Sequence, residues 1–307
     1  MQKQIIRHLF YKDKWNIGFV YQTVEELVRT RQLGKICWMP EDSADYSADP
    51  FVYMLDSTQG VFYERLNLWQ GRGTVCHITG FDFQTRQEVT GFTPAKFHLS
   101  YPYTFKDGSI LYCIPETAEA REVALYEVQA ADNIRLKKRR ILLTGAPYLD
   151  SSLVKFQDRY WLFTSKKGQN KQFFIYHADS LNDDFRAHAM NPIRCEPAQC
   201  RSAGHLFAIG ETLFRPTQNP LHEYGGSIVL SQITELTPER YSSGIYTELR
   251  PDAAYPAGLH TLSITSSMIV VDGKRKVFAP LKPLMWVIQK GKSMQIRLQL
   301  FSKSLSL

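Results

Sequence analysis

One form of segment recurs along this chain at intervals of about 50 residues, and it restricts the possible folds more than any other feature. The five copies are "DPFVYMLDSTQGVFYERL" from Asp49, "YPYTFKDGSILYCIPET" from Tyr101, "DSSLVKFQDRYWLFTSK" from Asp150, "SAGHLFAIGETLFRPTQ" from Ser202 and "HTLSITSSMIVVDGKRK" from His260. The first four share one order: a polar or small residue, a short apolar strand, a polar turn and an aromatic-rich strand. The fifth keeps the spacing, with its turn displaced to "VDGK" at 271–274. Repeats of this length and β content match a propeller, whose blades are four-stranded sheets set around a central channel. A β-sandwich with coincidental spacing is the alternative.

The expectation is an all-β, five-bladed β-propeller with one short N-terminal helix, forming a single domain over residues 1–307. Residues 1–45 hold the N-terminal strand and helix, and blades begin near 49, 101, 150, 202 and 260. "TVEELVRTRQLG" at 23–34 is the amphipathic segment, ending on Gly34. The N-terminal segment is then either an added element or the donor of a strand that closes the ring. Near the C-terminus, "MQIRLQLF" alternates as a strand does.

Composition narrows the function classes. At 307 residues and 44% hydrophobic, the chain can bury a large core. It has no apolar run long enough to span a bilayer and no signal-peptide stretch, so a cytoplasmic protein without a membrane span is expected. The five cysteines are odd in number and scattered, which suits reduced, buried thiols; Cys195 and Cys200 lack the second pair that a zinc site needs. Of the formal charge of +7, most sits in "RLKKRR" at 135–140, leaving the rest of the chain near neutral. That run reads as a solvated hairpin or loop, and no aromatic residues interleave it as they do on a nucleic-acid surface. No nucleic-acid partner is expected.

In a propeller the first strand of each blade lines the channel, so matching repeat positions converge although they lie far apart in sequence. The converging set is Asp49, Tyr101, Asp150, Ser202 with Arg201 beside it, and His260. The second strands add Glu64, Glu116, Arg215 and Gln218, and Tyr103 lies two residues beyond Tyr101. Each has an ordinary explanation as well. Asp49 before Pro50 can cap a turn, Asp150 before two serines can form an Asx-turn, Glu116 can be a surface residue, and His260 can be a core histidine. Their shared repeat position is what argues for a site.

The Asp-Pro opening, Asp150, His260 and the five-fold period together resemble the propeller of arabinanase- and xylosidase-type glycoside hydrolases and, more distantly, of invertases. More closely, "SADPF", "FYERL", "SAGHLF", "FRPTQ" and "GLHTLS" resemble the propeller domain at the N-terminus of plant glucosamine inositolphosphorylceramide transferases. Similar bacterial proteins carry that domain alone or joined to formyl- or glycosyltransferase modules. The resemblance runs from about residue 11 to about 280.

The hydrolase resemblance implies a base at Asp49 and an aspartate, Asp150, that tunes the acid. It also implies a general-acid glutamate at the head of the fourth blade, where this chain has "CRSAGH" and no carboxylate. Arginine cannot replace it, because its pKa is far too high. Glycoside hydrolysis needs two carboxyl groups, one protonated and one ionised, so Glu116 or Glu64 must supply the proton.

Three readings follow. The first is an enzyme acting on a glycan or activated sugar, with Asp49, Glu116 and Asp150 catalytic. The second is a non-catalytic module holding a sugar or sugar phosphate through Glu64, Tyr101, Tyr103, Arg201, Arg215, Gln218 and His260. The third is a protein-interaction scaffold. The resemblance adds a glycosyltransferase or formyltransferase as a partner and a glycan or glycolipid biosynthetic setting. No cofactor is expected, although related propellers leave room for a cation near His260.

Overall fold

The computed structural model describes residues 9–42, 45–55, 58–67, 69, 71–80, 84–92, 98–130 and 133–288. The first strand, β1 (Tyr11–Val20), is followed by helix α1 (Val24–Thr30) and the short β2 (Cys37–Trp38). The first blade is β3 (Asp45–Leu55), β4 (Thr58–Asn67), β5 (Arg72–Ile78) and β6 (Gln87–Glu88). The second is β7 (Ser100–Asp107), β8 (Ile110–Glu116), β9 (Glu122–Gln129) and β10 (Arg135–Thr144). The third is β11 (Tyr148–Phe156), β12 (Arg159–Lys166), β13 (Gln172–Ala178) and β14 (Arg186–Ala187), with β15 (Ile193–Arg194) also on β13. The fourth is β16 (Phe207–Ile209), β17 (Thr212–Asn219), β18 (Ser227–Leu236) and β19 (Tyr241–Leu249).

The last two strands, β20 (Leu262–Ile264) and β21 (Ile269–Phe278), make only half a blade. β1 completes it, pairing antiparallel with β21 from Tyr11 opposite Phe278 to Val20 opposite Ile269, and β2 adds the outer strand. Of the two roles expected for the N-terminal segment, the structure therefore takes ring closure. A propeller closed in this way has no open seam between its last and first blades.

Apolar side chains fill the gaps between neighbouring blades. Ile17 and Phe19 of β1 pack with Val52, Val61 and Tyr63 of the first blade and with Val270 of β21. Leu27 of α1 lies in the cluster between the fourth and fifth blades, with Phe214, Leu230 and Leu262. Three further clusters serve the other gaps.

Several local expectations change. α1 stops at Thr30 rather than Gly34, because Arg31 turns left-handed at φ 61° and sends its N–H back to Leu27 O at 2.7 Å. Its start is as expected, with a reciprocal Thr23–Glu26 capping box. A second helical stretch occupies 282–288, beyond the single helix expected. "VDGK" is not a turn but the interior of β21; the turn lies at Thr265–Met268. Gly273 is there for close packing, since a Cβ would meet the Trp38 ring at 2.2 Å.

Of the hairpin or loop expected for "RLKKRR", the structure takes the hairpin: the run begins the outer strand β10, paired antiparallel with β9, where exposed basic side chains suit an edge that must not pair with another chain. Cys195 and Cys200, expected as reduced thiols, are joined by a disulfide. The Pro197–Gln199 turn folds their Cα atoms to 5.7 Å, within bonding range. Of the free cysteines, Cys76 and Cys113 are buried and Cys37 is exposed. The "MQIRLQLF" stretch lies outside the described residues.

A single carboxylate ties the closing blade to the first. Asp272 of β21 has no exposed surface. Its Oδ1 accepts from the backbone N–H groups of His260 at 3.0 Å and Thr261 at 2.9 Å. Its Oδ2 accepts from Asp49 N–H at 3.0 Å and lies 2.6 Å from His260 Nδ1. Breaking such a buried, paired charge costs about 3–5 kcal/mol. Asp272→Ala is expected to lower the unfolding free energy by that amount, read as a lower urea midpoint at an unchanged m-value, and an unshifted midpoint would remove Asp272 as the closing contact.

Candidate functional site

The strand heads reach one another because three of them carry the same backbone irregularity. Asp49, Tyr101 and Asp150 all take left-handed conformations, with φ of 50°, 44° and 45°. In each blade the register slips at that point, between Ala48 and Phe51, Ser100 and Tyr103, and Leu149 and Ser152. A residue with a Cβ pays about 1–2 kcal/mol for this conformation. In return each bulge turns a head out of its ladder and towards the next blade.

The contacts then run round the ring. Asp49 accepts from Tyr101 N–H at 3.2 Å and from Thr261 Oγ1 at 2.7 Å, joining the first blade to the second and fifth. Asp150 donates its N–H to Glu116 Oε2 at 3.1 Å, joining the third to the second. Arg201 grips Asp150 with Nε and Nη2, the latter at 3.2 Å from Oδ1, and Gln218 Nε2 donates to the same carboxylate at 2.8 Å. Arg201 Nη2 also lies 3.7 Å from Glu116 Oε2. The structure thus brings Asp49, Glu116, Asp150, Arg201, Gln218 and His260 together.

The carboxyl groups do not share one protonation state. Burial pushes Asp49 up to about 7, opposed by His260 and reinforced by the charges of Glu64, Asp150 and Asp272. Burial raises Glu116 well above the usual range, and the charge of Asp150 adds to it. Burial also acts on Asp150, but the Arg201 charge and hydrogen bonds overcome it, so Asp150 is lowered. A raised Glu116 beside a lowered Asp150, joined through the Asp150 N–H on Glu116 Oε2, fits a proton held on Glu116 and a charge held on Asp150. For His260, burial opposes the charged ring, and Asp272 and Asp49 win; its pKa is raised.

The surrounding side chains include several that the sequence did not announce. Trp15 of β1 stacks on His260 at 4.0 Å between centroids. Tyr224, 48% exposed, meets His260 edge-on at 5.6 Å and lies under the Arg201 guanidinium at 5.4 Å. Lys274, fully buried, holds that loop through Glu223 Oε2 at 3.1 Å and through Tyr224 O. His98 Nε2 stands 3.2 Å from Glu64 Oε1, while Gly73 N–H donates to His98 Nδ1 at 3.1 Å and keeps the neutral ring's proton on Nε2. Gly73 is needed there, because a Cβ would meet Glu64 Oε1 at 2.4 Å.

Three expected ligand contacts fall elsewhere. Tyr103 is buried between blades, with its hydroxyl donating to Leu153 O at 2.5 Å. Tyr101 points its ring into the channel, where the hydroxyl meets Ser152 Oγ at 2.8 Å and accepts from Gly204 N–H at 2.6 Å. Arg215 lies beneath the head of the fourth blade, donating to Gln199 O and Cys200 O at 2.9 Å and stacking 4.1 Å above Phe173. These side chains brace the site from behind.

Asp49, His260 and Asp272 each offer a ligand atom within 4.8 Å of the others. Asp272, however, commits both oxygens to four protein donors. The trio is therefore a closed hydrogen-bonded group and does not fit an open cation shell.

Because Asp49 titrates higher folded than unfolded, its contribution to stability is complete below its ordinary value of 3.8 and fades as pH rises through about 7. Asp49→Asn removes that titration. Urea unfolding across this window is expected to show a flatter loss of stability in the variant, and parallel wild-type and variant curves would contradict the raised value.

Comparison with known proteins gives three kinds of match. The family model described as glucosamine inositolphosphorylceramide transferase 1, N-terminal, matches residues 37–250. Glucosamine inositolphosphorylceramide transferase 1 of Oryza sativa subsp. japonica is 30% identical over 206 residues, covering 64% of this chain. The chain spans only 27% of that relative's length. Among solved structures, an α-L-arabinofuranosidase of Podospora anserina aligns with TM-score 0.52 at 8% identity, over 75% of this chain and 82% of that one. An exo-β-1,3-galactanase of Clostridium thermocellum aligns with TM-score 0.51 at 14% identity, over 71% of this chain and 53% of that one. At such identities the likeness to these two enzymes is one of fold. The match over residues 37–250 is more specific, and the chain belongs to the family of glucosamine inositolphosphorylceramide transferase 1 N-terminal domains.

Proposed function

We propose that the channel mouth is a carbohydrate site that acts on a glycan or activated sugar with glycosidase-like chemistry. The supporting observation is the division of protons among its carboxyl groups: Glu116 raised, Asp150 lowered and Asp49 near neutrality. Hydrolysis or transfer at a glycosidic carbon needs one carboxylic acid and one carboxylate. In this reading Glu116 protonates the departing oxygen, and Asp49 takes a proton from the attacking water or hydroxyl. Asp150, kept ionised by Arg201, holds the proton on Glu116 until it is used. His260 orients Asp49, and Tyr224 offers a half-exposed ring on which a sugar face can stack. Glu64 and the Gln218 side-chain oxygen supply acceptors for hydroxyl groups, the Gln218 amide hydrogens being held by Asp150 and Ser202 O. A role in glycan or glycolipid biosynthesis beside a transferase module, in the cytoplasm, belongs to the same proposal.

A second reading has its own support. Arg201 stands at the head of the fourth blade, and both Asp49 oxygens already accept hydrogen bonds from the protein. A site used this way binds a sugar without turning it over.

Two measurements separate the readings. A panel of alkyl and p-nitrophenyl glycosides is expected to be cleaved with kcat/KM rising with pH through about 7, where Asp49 loses its proton. Asp49→Asn should lower kcat by about 10²–10⁴-fold on all of them. Glu116→Gln should do so on alkyl glycosides and far less on p-nitrophenyl ones, whose leaving group needs little protonation. Equal loss on both would take the acid role from Glu116. In a thermal-shift screen of neutral oligosaccharides, a ligand at 100 times its Kd should stabilise the fold by about 2.7 kcal/mol. Stabilisation without turnover would leave the binding module standing and remove the enzyme.

A further inference from the structure

Arg201 is held from two sides. Its guanidinium grips Asp150 of the third blade, and its backbone follows directly on Cys200, whose sulfur is bonded to Cys195. Cys195 is itself fastened to the third blade: its N–H donates to Lys171 O at 3.1 Å, and β15 just before it pairs with β13. The disulfide and the Arg201–Asp150 ion pair therefore bridge the same two blades, one residue apart in the chain. The turn between the cysteines is also supported from below, by Arg215 and by Thr217 Oγ1, which donates to Ala198 O at 2.8 Å. Cys200 is buried and Cys195 partly exposed, so Cys195 is the side of the disulfide nearer to solvent.

We propose that the Cys195–Cys200 disulfide is a thiol–disulfide exchange site whose oxidation state sets how firmly Arg201 holds Asp150, and with it the Glu116–Asp150–Arg201 arrangement. The reactant it takes is a dithiol. A thiolate of the dithiol attacks Cys195 Sγ, the bond to Cys200 breaks, and Cys200 leaves as a thiolate that takes up a proton. The second thiol then displaces Cys195, which is protonated in turn. Two electrons and two protons pass to the protein, and the dithiol ends as a disulfide. The opened turn keeps its hydrogen bonds from Arg215 and Thr217 while losing its covalent tie, so Arg201 loosens without the blade unfolding. The regulatory consequence rests on the carbohydrate reading above; the link from disulfide to Arg201 does not.

Phenylglyoxal, which modifies arginine side chains not locked in ion pairs, reads that link directly. It is applied to the full chain before and after dithiothreitol, and labelling at Arg201 is followed by peptide mass spectrometry. Arg201 is expected to react slowly in the oxidised chain and several-fold faster after reduction. The Cys195→Ser, Cys200→Ser double variant should match the reduced chain with no reductant present. Asp150→Asn should label fast in both states, and circular dichroism should stay the same throughout. Equal Arg201 labelling in the oxidised, reduced and double-serine chains overturns the proposal. So does an increase shared by Arg86, which is ion-paired with Asp42 and remote in sequence, because it reports general loosening. Glycoside turnover on the same samples is the separate arm: redox-dependent labelling without turnover in either state sinks the enzyme reading alone.

Discussion

Asp272 is a carboxylate without exposed surface, and four hydrogen-bonding contacts converge on it from Asp49, Thr261 and His260. Two consequences follow from one side chain. The last blade is tied to the first at the channel, where β-strand ladders cannot reach. The histidine and the aspartate that face each other at the mouth are also held by a common acceptor, so the geometry of the candidate site and the closure of the ring are one constraint. The outer half of the same seam is the β1–β21 ladder, and Trp15 on that ladder stacks on His260. Closing the propeller and completing the site thus rest on the same contacts.

The rest of the mouth depends on an unequal sharing of charge. Arg201 spends two donors on Asp150 and stands close to Glu116, so it lowers one carboxyl group while burial and the resulting negative charge raise the other. Asp49, on the first blade, has His260 and no arginine contact like that of Asp150 set against burial and several like charges, and its pKa is raised to about 7. Three similar side chains acquire three different protonation states because their partners differ. The strained φ angles at Asp49 and Asp150 fit this account, since strain tends to be kept where it aims a side chain at a task.

Much of this was legible in the chain because the repeat position has a physical meaning. The residue that opens each blade must lie by the channel, so Asp49, Tyr101, Asp150 and His260 could be gathered from sequences some fifty residues apart. Glu116 and Arg201 followed from their distance to those openings. Tyr101, Tyr103 and Arg215 do not offer their polar groups to a ligand, because each is taken up by contacts with other protein groups that a period alone does not reveal. Asp272 carries a signal of its own, a charged residue after the apolar run in "IVVDGKRK", but the Asp-Gly pair favours a turn and masks it. Tyr224 and His98 sit in connections, where no period marks them.

Hydrophobic alternation, turn residues and a recurring interval are local properties, and by themselves they determined the five-fold propeller and the residues that open its blades. What only the tertiary structure decided are the relations between blades: which strand closes the ring, which cysteines meet, and which carboxyl group keeps its proton. Those depend on distances between side chains far apart in the chain and on how completely water is removed from between them. Coulombic and desolvation effects are set by that three-dimensional neighbourhood, and no linear spacing encodes it.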